Sequence, residues 1–178
     1  MSIALLSATH RPGSYTRRVS LYLAREVERR GESYHFIDFQ VLPREFLFSD
    51  LFGNRSEVFQ AVIQTLLLAE CWLWVVPEYN GSIPGIVKVF IDALPREVFV
   101  RRAAALVGVS DGRFGNLRGL DHLSAILQYC GMRVLPFRAH LPNIRSHWIE
   151  AENQPASFLM AEIETFINHL FAWISSQR

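Results

Sequence analysis

The sequence predicts a doubly wound α/β domain: a five-stranded parallel sheet in the order 2-1-3-4-5, with helices on both faces. Three observations carry this expectation. Short apolar runs alternate five times with segments of helical periodicity along the 178 residues. The apolar runs lack clean in–out alternation, which marks strands buried on both faces, as parallel strands are. Turn-forming residues gather just after the first, third and fourth runs, at the strand ends where open α/β sheets bind ligands.

Ile3 to Ser7 reads as a buried strand, followed by a loop, Ala8 to Ser14, containing His10-Arg11-Pro12-Gly13. From Tyr15 to Arg30, Val19, Leu23 and Val27 recur every four residues, one helical face, and Gly31 fits the stop. Ser33 to Phe39 sets Tyr34 and Phe36 in alternation with His35, a second strand. Gln40 to Asn54 carries Pro43 among several Phe and Leu and reads as a long loop packed on the core. Ser56 is placed as the cap of a helix to about Ala69, with Val58, Val62, Ile63 and Leu66 on one side. Cys71 to Val76 is the third strand, and Ile86 to Leu94 the helix beyond its loop. Ala103 to Val109 is the fourth strand, Ser110 to Gly115 a Gly-rich loop. Leu117 to Tyr129 aligns Leu120, Leu123 and Leu127 on a helix stopped by Gly131, and Met132 to Phe137 is the fifth strand. Residues 138–154 read as irregular. Phe158 to Ile174 is the last helix, with Leu159, Ile163, Phe166, Leu170 and Trp173 at helical spacing. Trp148, Phe158, Phe166, Phe171 and Trp173 are expected in the core around it. Ile167 and Phe171, beside the main stripe, leave a second apolar face for a subunit contact.

Length fits a single domain, residues 1–178, large enough to bury most of its apolar surface without covalent staples. Half the residues are hydrophobic and 20% are charged, so some apolar surface is expected in a subunit interface. Net charge is +1, with no basic block and no acidic tail, so neither nucleic acid nor an anionic membrane is implied. Cys71 and Cys130 lie far apart without metal or redox spacing and read as inert thiols. The six histidines show no metal spacing either. The first residues are apolar for too short a stretch to be a signal peptide, and no apolar run approaches ~20 residues. A cytoplasmic protein without a membrane span is the expectation.

The most informative stretch is Pro77-Glu78-Tyr79-Asn80-Gly81-Ser82-Ile83-Pro84-Gly85. Its glycines permit close approach of a ligand and its prolines restrict the backbone, so it reads as a rigid cradle of amides for a flat, polar-edged cofactor. The loop after the first strand has hydroxyls at Thr9, Ser14 and Thr16, a cation at Arg11 and then a helix N-terminus, the makings of a phosphate site. Ser14 or Thr16 acting only as an N-cap is the plainer reading of that loop alone. The third loop, with Ser110, Gly112 and Gly115, reads alone as a simple turn. In a parallel sheet all three emerge on one edge.

These pieces also resemble the NADPH-dependent FMN reductases, a branch of the flavodoxin-like fold that includes quinone, azo-dye and chromate reductases. The resemblance rests on residues 7–16, on 77–85 with Lys88 and Ile91-Asp92, and on Ser110-Asp111-Gly112 with Phe114-Gly115, and spans roughly 3–137. It implies that Thr9, Arg11, Ser14 and Thr16 hold the FMN phosphate, with Tyr15 also among the cofactor-binding residues. It implies that Pro77, Glu78, Tyr79, Asn80 and Gly81 line the isoalloxazine ring, with Ser110, Gly112 and Gly115 on its other side. It further implies NADPH or NADH as electron donor, a small-molecule acceptor, and a homodimer or homotetramer whose partner subunit completes the pocket. Several positions depart from the family pattern: Thr16 stands for Asn, Ala8 for Gly, Asn116 for a second Gly, and Ala93-Leu94-Pro95 for an aromatic.

In such a site the flavin carries the chemistry and the protein supplies binding, orientation and electrostatics, so no catalytic acid, base or nucleophile is required. The motifs of other chemistries are missing: no Gly-x-x-x-x-Gly-Lys, no Gly-x-Gly-x-x-Gly and no Gly-x-Ser-x-Gly. The expected function is an FMN-dependent oxidoreductase passing electrons from NAD(P)H to a quinone, flavin, azo compound or metal oxyanion. A non-catalytic FMN-binding carrier or sensor, and a scaffold that has lost FMN, are the alternatives.

Overall fold

The computed structural model of the chain describes residues 2–43, 45–52 and 55–176. Strand β3 (Cys71–Pro77) is buried at every position, as its unbroken apolar sequence demands, and lies at the centre of the sheet. With β1 (Ser2–Ser7), β2 (Ser33–Asp38), β4 (Ala103–Val109) and β5 (Arg133–Leu141) it forms a five-stranded sheet in the order β2-β1-β3-β4-β5, every pair parallel. The predicted order and the flavodoxin-like architecture are both present.

The period of two along the strands splits the core in two. Ile3, Leu5, Leu73 and Val75 face α1 (Tyr15–Arg29) and α6 (Ser157–Ser176), meeting Val19, Leu23, Phe166 and Leu170. Ala4, Leu6, Trp72 and Trp74 face α3 (Glu57–Leu68), α4 (Gly85–Ala93) and α5 (Leu117–Tyr129), meeting Phe59, Phe90 and Leu123. Phe90 is the hub of the second layer, with ring centroids 4.5 Å from Phe39, 5.7 Å from Phe59 and 6.1 Å from Trp74. Ser56 caps α3 as predicted, its hydroxyl accepting from the Phe59 amide at 3.3 Å.

The structure corrects four readings. The segment expected to be a loop to Asn54 contains a 3₁₀ turn, Phe39–Val41, and a short helix α2 (Phe46–Ser49); Arg44, Gly53 and Asn54 lie outside the described residues. Four helical residues are too few to show a period, and what holds them is burial of Phe39 and Phe46. The fifth strand does not end at Phe137 but runs to Leu141. Pro136 is tolerated there because β5 is an edge strand whose register shifts opposite Ala104 and Leu106. Residues 138–154 are therefore not wholly irregular; beyond β5 they also hold a two-stranded hairpin, β6 (Trp148–Ile149) with β7 (Gln154–Pro155). Finally, Trp148 packs on Tyr15 of α1 with centroids 6.1 Å apart, while Phe158 is exposed and Ile167 is fully buried. The Arg30 guanidinium covers the Phe171 ring at 5.8 Å, so these two residues of the second apolar face are engaged within the chain.

Candidate functional site

A cleft of about 180 Å³ opens at the carboxyl ends of β1, β3 and β4. Its walls come from the three loops singled out in the sequence. Among the described residues its lining includes Thr9, Arg11, Ser14, Tyr15 and Thr16 from the first, Pro77, Glu78 and Tyr79 from the second, and Ser110 and Asp111 from the third. The expected site residues Asn80, Gly81, Gly112 and Gly115 are not part of its lining, and His10 is exposed outside it.

The first wall is set by β1, whose last hydrogen bond to the sheet, Ala8 amide to Val75 carbonyl at 3.0 Å, releases the chain into the loop. Thr9 is buried, and its hydroxyl oxygen accepts from the Arg11 amide at 3.2 Å. Ser14 caps α1, accepting from the Arg17 amide at 3.2 Å. The plainer reading of Ser14 is thus correct as far as it goes. The amides of Tyr15 and Thr16 have no carbonyl four residues back within the helix to bond. The first turn contains no acidic residue of its own to offset the positive end of the helix dipole. Arg17 is engaged elsewhere, its Nε donating to Asp38 at 2.6 Å, which leaves Arg11 as the guanidinium of this loop lining the cleft.

The second wall is a tight hairpin. Tyr79 and Ser82 exchange backbone hydrogen bonds at 2.9 and 3.0 Å, and Asn80 and Gly81 between them both have positive φ, 51° and 71°. Asn-Gly is the sequence such a two-residue turn prefers. The turn spends its ladder bonds on Tyr79 and Ser82, so the Asn80 and Gly81 amides take no part in them. The Glu78 amide ties the loop to the Val109 carbonyl at 2.9 Å, and Ser82 Oγ meets His122 Nδ1 of α5 at 2.8 Å. A Cβ at Gly81 would lie 2.8 Å from Arg118 Nη1.

In the third wall Ser110 is buried and its hydroxyl donates to the Gly112 carbonyl at 2.7 Å. Gly115 lies beneath: a Cβ there would come within 2.7 Å of the β5 backbone at His140 and Leu141. Asn116, which departs from the family pattern, has φ of 61° and is fully buried, with its amide donating to the Val76 carbonyl at 3.1 Å. Asn tolerates that left-handed conformation better than other side chains, so the replacement keeps the turn and adds a tie from α5 to β3. Ala93 and Leu94 are likewise buried core positions, and Thr16 is buried in the first turn of α1.

Sequence reasoning missed a fourth wall, made by Ile144 and Arg145. They lie just beyond β5, which runs to Leu141 and not to the expected end at Phe137. That the loop after the fifth strand leaves the sheet on the same edge as the other three was the available signal.

The donor set suits a phosphate monoester: three hydroxyls, two first-turn amides and a guanidinium on one wall of the cleft, with Pro77, Glu78 and Tyr79 on the next. A sequence model of the NADPH-dependent FMN reductases matches residues 1–143. The chain belongs to this family. As an NADPH-dependent FMN reductase it is an FMN-dependent oxidoreductase that takes electrons from NAD(P)H. It is similar to an NAD(P)H:quinone oxidoreductase of Solanum tuberosum, 32% identical over 89% of this chain and 79% of that protein. It is 26% identical to a 2-hydroxy-1,4-benzoquinone reductase of a Burkholderia species over 100% of this chain and 98% of that protein. Among solved structures it resembles the flavoenzyme NAD(P)H:(acceptor) oxidoreductase FerB of Paracoccus denitrificans, TM-score 0.76 at 21% identity, covering 94% of this chain and 95% of that one, a likeness of fold. Among the described residues no group of His, Cys, Asp and Glu could hold a metal ion, and no helix is long and apolar enough to cross a membrane.

Proposed function

We propose that the cleft is the FMN site of this reductase and that electrons pass from NADPH or NADH to a quinone, with flavins, azo compounds and metal oxyanions as further acceptors. The observation that carries the reading is the first wall, where Thr9, Arg11, Ser14, Tyr15 and Thr16 line the cleft at the N-terminus of α1. In this reading those residues hold the phosphate. Pro77, Glu78, Tyr79, Asn80 and Gly81 run along one side of the isoalloxazine, and Ser110 and Gly112 along the other, with Gly115 supporting them from below. Quinone as the leading acceptor follows from the names of the potato and Burkholderia relatives.

Bound FMN supplies the hydride-accepting ring and the two-electron chemistry. The chain's own part is positional. The Asn80-Gly81 turn, fixed by the paired hydrogen bonds of Tyr79 and Ser82, would supply amides to a ring edge where charge develops on reduction. Hydroxyls and amides of the first wall would hold the phosphate of the cofactor, and β3 and β4, buried at every position, would exclude water from the floor of the site. The balance is NAD(P)H plus a proton plus quinone giving NAD(P)+ and hydroquinone, a sum that needs no side-chain nucleophile. The setting of this chemistry is the cytoplasm, in a homodimer or homotetramer whose partner subunit completes the acceptor pocket.

Steady-state turnover tests the reading. FMN-loaded protein should oxidise NADPH in step with formation of hydroquinone from 1,4-benzoquinone, one for one. NADPH consumption that does not depend on the quinone contradicts it.

A further inference from the structure

From the strap that follows β5 we infer that Arg145 is a second phosphate-binding cation of the FMN site, held in reserve by Asp111. The inference rests on the FMN reading of the cleft.

The strap crosses from one wall of the cleft to another. At its start the Asn143 amide donates to the Gly112 carbonyl and the Ile144 amide to the Ser110 carbonyl, both at 3.0 Å, which fixes it on the third loop. At its far end Glu150 accepts from Arg18 Nη1 with both carboxylate oxygens, at 2.8 and 2.7 Å, and from the Tyr15 hydroxyl at 3.1 Å. Trp148 packs edge-on against the Tyr15 ring. The strap is thus anchored on the third loop and on the first turn of α1, the two features that flank the cleft. Ile144 and Arg145 lie between the anchors and line the same cavity as Arg11, Ser14 and Thr16.

Arg145 Nε meets Asp111 at 3.1 Å, with side chains 64% and 57% exposed. Ion pairs as open as this contribute little, because water screens them. A phosphate dianion held by hydroxyls and helix amides offers the guanidinium a stronger, charge-assisted partner and a better geometric match. Arg145 therefore exchanges Asp111 for the phosphate when FMN binds, and Asp111, which lines the same cleft and is already half exposed, turns out to solvent. The family match ends at residue 143, so this cation comes from the part of the chain beyond it.

The test compares FMN with riboflavin, which lacks the phosphate, by fluorescence titration of apoprotein. Arg145→Ala should weaken FMN about tenfold or more and leave riboflavin unchanged, the loss expected for one charged hydrogen bond. Equal weakening of both flavins, or no change in either, overturns the assignment. Asp111→Asn, which frees Arg145, should tighten FMN alone; unchanged or weaker FMN binding there overturns the exchange. Wild-type protein that binds FMN no better than riboflavin removes the phosphate placement itself, and with it Arg145's role. Failure of the wild type to bind either flavin contradicts the functional reading instead.

Discussion

At the scale of single residues, the first wall of the cleft makes the sharpest predictions. Arg11→Ala and Ser14→Ala should each weaken FMN binding by about tenfold to a hundredfold, the scale of a hydrogen bond to a charged group. Ser14 also caps α1, so its replacement should cost about 1 kcal/mol of stability that Arg11→Ala does not. Thermal melts beside flavin titrations separate the two effects. Gly81→Val should abolish ring binding, because the position needs φ of 71° and a Cβ would press on Arg118; a variant that folds and keeps wild-type FMN affinity contradicts the placement of the ring. The cysteines follow burial rather than spacing. Burial pushes the Cys71 thiol up to about 12, and burial, with the Asp92 charge behind it, raises half-buried Cys130 as well. A thiolate-directed reagent at pH 8 should leave Cys71 untouched in the folded protein and label it after denaturation.

Elements were legible where period and punctuation agreed. The β-α alternation and the Ser56 cap carry local signals that tertiary packing did not override. What escaped was set by long-range contact. The helix α2 is held by Phe46 against Phe59 and Phe90, and β5 continues past Pro136 because it is an edge strand. Neither fact is written in the neighbouring residues. Phe90 ties this layer together, so Phe90→Ala should destabilise the fold by about 3–5 kcal/mol in urea unfolding. The same region holds a pH-sensitive fastener. Burial works to raise the Asp50 pKa, but hydrogen bonds from the Ser49 hydroxyl at 2.6 Å and the Ser56 amide at 2.5 Å outweigh it, and the net shift is downward. A carboxyl lowered on folding contributes stability above its unfolded value, near 3.9 on the usual scale, and loses it as pH falls through the folded value. The stability gap between wild type and Asp50→Asn should therefore be widest near neutrality and close under strong acid.

For the whole molecule, sheet order and the sidedness of its loops turned three short motifs into one cleft. The sequence read three walls because each follows a strand with glycine, proline or hydroxyl punctuation. The fourth, carrying Arg145, was hidden because the strand before it was cut short at Phe137. The departures at Thr16, Asn116 and Ala93-Leu94 proved to be buried positions, and the Asn116 side chain donates to the Val76 carbonyl. Anaerobic titration of the FMN-loaded protein with NADPH, followed through the visible absorbance of the flavin, tests the central claim most directly. Rapid bleaching, reversed by adding a quinone, is the expected result. A stable yellow colour under excess NADPH would contradict the account and leave a flavin carrier in place of a reductase.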